Sequence, residues 1–360
     1  MEYVKDWEKS RKRFEAYWER ELTDRCCIAI QAPRDPVKGY DRAPLPENYA
    51  DRELYWTDGE NILGRYLRLF ESTYFAGDAY PAITLNFGPS GHTGFYKGVK
   101  FRYDDECIWF YPIEDMDWEN PELATDPDSF LHKSLISVAK YLNANNNGRY
   151  IVGNPHIAGD GDALALLRGS QDFMYDLAAR EPYIHGAMKH IQQTWFDTYD
   201  AVYDIVKEGN EGLSCVAGWF ATAKGKVSTT QCDLSVMISP EKFNEYFLPC
   251  LRKQLAHVDY GYYHLDGIEQ IRHLDSLLSI DDLKAIQWQV VESQPSPVEF
   301  IPVLQRIQAA NKGIILYVRE NELEPIMKGL SSKGLLLLMD AKSPEQADDI
   351  VKRVEKLTRD

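Results

Sequence analysis

The segment YYHLDG (262–267) closes a short apolar run with His264 and Asp266, two residues apart. In an extended strand that spacing sends both side chains to one face. An imidazole beside a carboxylate can act as a general base with an orienting partner. The same pair can give nitrogen and oxygen ligands to a metal ion, or form a structural hydrogen bond at a strand mouth. Gly267 then permits a tight exit. A second stretch, QCDLSVMISPEKF (231–243), carries Cys232 and Asp233 in a loop before a helix that Ser239 caps and Pro240 opens. A thiolate at position 232 would be a soft metal ligand or a nucleophile, although a lone cysteine is more often a small hydrophobe. His264, Asp266 and Asp233 are the catalytic candidates, and His264, Asp266 and Cys232 the metal-ligand candidates.

The elements that must position these groups follow from hydrophobic rhythm. Apolar strand candidates lie at 27–32, 81–87, 150–155, 213–220, 260–266, 285–290, 313–318 and 335–340, separated by amphipathic helices. Near-continuous apolar strands alternating with helices predict a parallel sheet covered on both faces. Eight such units predict an α/β protein with a (β/α)8 TIM barrel, against a doubly wound open sheet as the other option. No GxGxxG follows the first strand, which argues against a dinucleotide fold. The chain reads as one barrel domain over 1–360, with an N-terminal helical extension (about 1–25) and a β-rich insertion (about 96–127). Residues 35–58 read as an irregular excursion.

Barrel chemistry sits at the C-terminal strand ends. That rule selects Asn86, His156, Asp160, Trp219, Gln289, Glu292 and Asp340 as substrate-binding candidates. It also picks out Asn154, Asp162, Gln287, Arg319 and Glu320 as strand-end polar groups without an assigned role. Trp219 offers a flat wall for a planar ligand, while Asp160 or Asp162 could simply cap a helix. No HExxH, nucleophile elbow or Walker loop is present.

Composition narrows the partners. A formal net charge of −16 over 360 residues disfavours nucleic acid and anionic membrane surfaces. No run approaches the roughly 20 apolar residues of a membrane span, and the charged N-terminus does not look like a signal peptide. The expectation is a cytoplasmic protein, most of whose six cysteines are free thiols.

Several motifs, in order, resemble one family. GDGDALALLRGSQDFMYDLAAREPYIHGAM (159–188), ISPEKFNEYFLPCLRKQL (238–255), YHLDGIEQIRHLD (263–275), AIQWQ (285–289) and GLLLLMDAKSPEQADDIVKRV (334–354) are similar to segments of the uroporphyrinogen decarboxylase-like superfamily. GDAYPAITLNFGPSGHTGF (77–95) is similar to its second barrel strand and glycine turn. The resemblance covers roughly 60–358 and is strongest from 150 onward. It implies a uroporphyrinogen decarboxylase-like barrel, either a decarboxylase or a corrinoid-dependent methyltransferase in which zinc activates a methyl-accepting thiol. In the decarboxylases an Arg-rich N-terminal loop and a strand-end Asp hold the substrate. This chain lacks such a loop at its start, and Asn86 stands at the Asp position. In the methyltransferases the fifth strand carries His-x-Cys. Here His264 is kept, Asp266 replaces that Cys, and Asp340 lies where a further Cys would be. The HLDG version looks like a branch described by analogy with trimethylamine-corrinoid proteins.

The leading expectation is therefore a methyltransferase-like enzyme acting on a small molecule or a corrinoid-bound methyl group. Zinc is a possible cofactor, and a separate partner protein would supply the corrinoid, since no DxHxxG-type cobalamin motif is present. Carboxy-lyase activity and a non-catalytic small-molecule-binding barrel are the alternatives. The resemblance also hints at a homodimer.

Overall fold

The computed structural model describes residues 1–291 and 293–359. Thirteen strands run in chain order: β1 (Cys27–Pro33), β2 (Thr73–Gly77), β3 (Ala82–Leu85), β4 (Lys100–Tyr103), β5 (Ile108–Tyr111), β6 (Ile151–Pro155), β7 (Leu213–Val216), β8 (Ala221–Lys224), β9 (Val227–Gln231), β10 (Tyr260–Leu265), β11 (Leu283–Trp288), β12 (Gly313–Tyr317) and β13 (Leu335–Asp340). Seven of them form a central sheet in the order β2-β1-β13-β12-β11-β10-β9. Every pair in it is parallel except β1 with β2.

Alternation along these strands builds two apolar layers. Ile28, Tyr263, Leu265, Ile286, Ile314, Leu316, Leu335 and Leu337 belong to one buried cluster together with the helices' apolar faces. Their strand neighbours Cys27, Ala29, Tyr262, Ala285, Ile315, Leu336 and Leu338 belong to the second. Side chains of successive residues point to opposite faces of a sheet, so LLLLM along β13 can fill both layers at once. The flanking helices close one layer. The last one, Pro344–Leu357, starts where the Ser343 hydroxyl accepts from the Gln346 N–H. The helical stretch over 240–256 opens in the same way, with Ser239 accepting from the Lys242 N–H, and includes a π-helical turn at Phe243–Phe247.

The expected ring of eight strands is not found as one closed hydrogen-bonded sheet among the described residues. A local reason is visible at β1, whose second edge is occupied by the antiparallel β2, with Ile30 opposite Ala76. β3 pairs instead with β6, in parallel. The expected strand at 213–220 is also shorter: after β7 the chain turns at Ala217–Trp219 and returns as the antiparallel β8. The strand beside β10 is β9, VSTTQ, which lies outside the expected set. Within 35–58 a helix forms at Tyr49–Thr57, where only irregular chain was expected. In the region of the expected insertion, β4 and β5 form a hairpin and an antiparallel bridge joins Tyr96 to Thr125. Among the described residues no helix is long and apolar enough to cross a membrane.

Two buried carboxylates tie neighbouring elements together. Asp78 accepts from Ser10 Oγ, from Arg13 and Arg25, and from the Ile28 N–H, joining the first helix to the start of β1. Gly77 precedes it with φ near +64°, and a Cβ there would lie 2.2 Å from the Ile28 carbonyl oxygen, so only glycine fits. Asp160 opens the helix Asp160–Arg168 and is held between the side-chain amides of Gln192 and Gln254, each 2.9 Å away. Burial pushes its carboxyl up to about 7, outweighing those donors.

Truncating Asp78 removes the buried carboxylate that Arg25 and Arg13 share, leaving Arg25 without an ion pair among the described residues. D78A should lower unfolding stability by about 3–5 kcal/mol in urea titrations; a loss below about 1 kcal/mol would show that the network contributes little. For Asp160 the folded carboxyl titrates higher than the ordinary 3.8. Between about pH 4 and 7 the folded chain therefore holds a proton that the unfolded chain lacks. This group's contribution should fall as pH rises through that window and stay level above it. D160N should flatten that part of the stability–pH curve relative to the parent protein.

Candidate active site

The two-residue alternation that fills the second apolar layer changes character toward the C-terminal strand ends. Ala29 is followed by Gln31, Tyr262 by His264 and Asp266, Ala285 by Gln287 and Gln289, Ile315 by Tyr317 and Arg319, and Leu338 by Asp340. Strand register aligns these groups laterally. His264 is paired with Gln231 of β9 and Gln287 of β11, and Gln31 with Asp340. Paired residues on adjacent parallel strands face the same side, so Gln231, His264 and Gln287 form one polar row, with Asp233, Asp266 and Gln289 two residues further on.

His264 is buried, and its Nδ1 is hydrogen-bonded to Gln287 Oε1. An amide oxygen only accepts, so Nδ1 carries a proton, which in the neutral imidazole leaves the lone pair on Nε2. The amide end of Gln287 is itself oriented, since its Nε2 donates to Gln289 Oε1 at 3.2 Å. Trp219 stacks on the imidazole, with ring centroids 4.9 Å apart and planes 30° from parallel. Asp233 Oδ2 accepts from Gln231 Nε2 at 2.6 Å, while its Oδ1 is buried without a partner. Burial raises the Asp233 carboxyl above its ordinary value; the His264 side chain pulls it back down and Asp266 pushes it further up.

Asp233, His264 and Asp266 each offer one ligand atom, and these atoms lie within 4.8 Å of one another. Three ligands at about 2.0–2.2 Å from one tetrahedral ion lie roughly 3.3–3.6 Å from one another, so binding an ion draws any wider pair of these side chains together. The donor chemistry fits a divalent cation: two carboxylates, one imidazole with a free nitrogen, and a buried orphan oxygen. Two carboxylate oxygens and one nitrogen make a harder set than thiolates, compatible with zinc.

The turn carrying Asp233 is held from behind. Asp162 accepts the backbone N–H groups of Asp233 and Leu234 at 3.0 and 3.1 Å. Burial, then the nearby Asp233, raises the Asp162 carboxyl well above its ordinary range. A Cβ on Gly159 would lie 1.9 Å from the Gln231 carbonyl oxygen. Glycine there lets the chain before Asp162 approach the end of β9.

The remaining candidates separate into groups. Trp219, Gln289 and Asp340 line a cavity of about 510 Å³ with Gln31, Gln287 and Arg319, against the His264 row. His156 stands near enough that His264, after burial, helps hold its imidazole down at about 4. Asn86 lines a different cavity. Asp160 is bonded between helices, as described above. Cys232 falls on the opposite parity from Asp233: its side chain lies in the helix-side core, where burial drives the thiol well up. Alternation sends consecutive side chains apart, so Cys232 does not share the face on which Asp233, His264 and Asp266 lie together. Glu292 lies outside the described residues. Gln231 had been passed over, although its position one pair across from His264 would have marked it had β9 been recognised.

No protein-family model matches the chain, and no curated protein does. Among solved structures, a methyltransferase from Methanosarcina mazei aligns over 96% of this chain and 98% of its own, with a TM-score of 0.60 and 12% sequence identity. At that identity what the two proteins share is a fold.

Proposed function

We propose that this protein is a methyltransferase-like enzyme of the uroporphyrinogen decarboxylase-like superfamily, with its strands arranged as a (β/α)8 barrel. Its substrate would be a small molecule or a methyl group carried on a corrinoid bound to a separate protein, and it would work in the cytoplasm. The observation that carries the reading is the Asp233–His264–Asp266 group, with a free imidazole nitrogen and an orphan carboxylate oxygen, beside a cavity of ligand size. The fold shared with a methyltransferase supports it.

Asp233, His264 and Asp266 would hold a divalent ion. Such an ion lowers the pKa of a bound acceptor group and so prepares it to take a methyl group. The chain's own residues do the positioning. Gln287 fixes the His264 tautomer and ring plane, Gln231 fixes one oxygen of Asp233, and Asp162 anchors the turn below it. Trp219 walls the imidazole from solvent on one face. Arg319 and Asp340, at the cavity wall, give opposite charges for orienting a polar substrate.

Metal titration calorimetry with zinc and manganese should give one site per chain. H264A and D233N should each weaken it at least tenfold, and Q287A by roughly tenfold to a hundredfold through loss of the oriented tautomer. C232A should leave the affinity unchanged; a large loss there would place the ligands differently. For turnover, the absorbance of methylcobalamin should change on incubation with the metal-loaded protein and a thiol or corrinoid-protein acceptor, and H264A should abolish the change. Conversion of uroporphyrinogen to less carboxylated products, with no demethylation under any of these conditions, would replace the proposal by carboxy-lyase activity.

A further inference from the structure

A second cavity, of about 300 Å³, opens beside the end of β3, and its lining shares no residue with the cavity at His264. Arg42, Trp56, Arg65, Tyr66, Thr84 and Asn86 contribute to its wall. Two of these wall residues are arginines without a carboxylate partner among the described residues. Acidic residues outnumber Lys and Arg by 56 to 40, and many arginines elsewhere pair with carboxylates, as Arg25 does with Asp78 and Arg68 with Asp41. Arg65 has no carboxylate partner among the described residues. One of its terminal nitrogens donates to the Tyr55 carbonyl at 2.5 Å, its guanidinium carbon lies 3.4 Å from the centre of the Tyr55 ring, and its Nε is buried without a partner. Arg42 has no ion pair among the described residues either.

The local acids are engaged elsewhere. Asp41 pairs with Arg68, Asp105 with Arg52, and Glu53 accepts from the Tyr103 hydroxyl. Burial pulls the Arg65 guanidinium down from its ordinary value, and no carboxylate acts against that effect. A partly desolvated cation with spare donors is costly unless an anion completes it. Trp56 and Tyr66 give the same cavity an aromatic wall.

We propose that this cavity binds a small organic anion, with a carboxylate or phosphate head between Arg42 and Arg65 and an apolar body against Trp56 and Tyr66. Guanidinium groups suit both heads because their donor fork matches two oxygens at once. The cavity size limits the ligand to the small end of the usual range. Asn86 then belongs to this site and not to the one at His264, and the two sites are independent.

Calorimetric titration with benzoate, phenyl phosphate, inorganic phosphate and neutral benzamide tests the proposal. Benzoate or phenyl phosphate should bind one per chain, more tightly than benzamide and than inorganic phosphate. R65Q and the surface variant R42Q should each weaken that binding by roughly tenfold to a hundredfold. H264A should leave it unchanged, which separates this site from the metal site whatever becomes of the latter. Failure of both aromatic anions to bind at millimolar concentration would overturn the proposal. So would equal binding of benzamide, binding of inorganic phosphate alone, insensitivity to R42Q, or loss of binding in H264A.

Discussion

Lateral register across β9, β10 and β11 is the constraint on which the site depends. Parallel pairing sets Gln231, His264 and Gln287 opposite one another, and because the strand period is two, a slip of one residue in β10 would send His264 into the helix-side core and Tyr263 into the polar row. The two apolar layers enforce the register. Tyr262 and Tyr263 are both fully buried, on opposite faces, and the Tyr263 hydroxyl donates to Gln270 at 2.9 Å. Core packing and site geometry are therefore one problem in this sheet, solved by the same alternation.

Given that register, the electrostatics are determined by which groups have partners. His264 has its Nδ1 committed and its Nε2 free, and Asp233 has one oxygen committed and one free. The amides of Gln231 and Gln287 hold these groups without adding charge, so the free atoms face a space flanked by two carboxylates. A cation relieves the repulsion between Asp233 and Asp266 and satisfies the orphan oxygen together. A neutral ligand would meet only one of those needs. The buried Asp162 behind the turn is held by two backbone donors, and burial favours its protonated form. That keeps a third negative charge out of the immediate surroundings.

Much of this was legible in the sequence where side-chain type and spacing carry it. The His-x-Asp spacing at 264 and 266 requires a shared face in any strand, and the neighbouring apolar runs required a parallel sheet. Asp233 could be named from its position before a capped helix. Which side Cys232 faces was not legible, because the loop around it gave no parity until β9 was known. That strand, VSTTQ, is polar in composition and was missed by a search for apolar runs, although Val and Thr are strand formers. β2 was hidden at the end of a helical pattern, and its antiparallel pairing with β1 is a tertiary choice that no local signal announces. Asn86 was grouped with the main site because it follows a strand, yet the cavity it lines is separate. Strand-end position identifies the functional end of such a sheet and does not say which cavity a residue serves.

The most direct test of the central claim is a crystal structure of the protein soaked in zinc, with diffraction recorded on both sides of the zinc absorption edge. The account predicts an anomalous peak within about 2.0–2.2 Å of His264 Nε2 and of one carboxylate oxygen each from Asp233 and Asp266, with His264 Nδ1 still bonded to Gln287. An anomalous peak at Cys232, or none between these three side chains at saturating zinc, would contradict it.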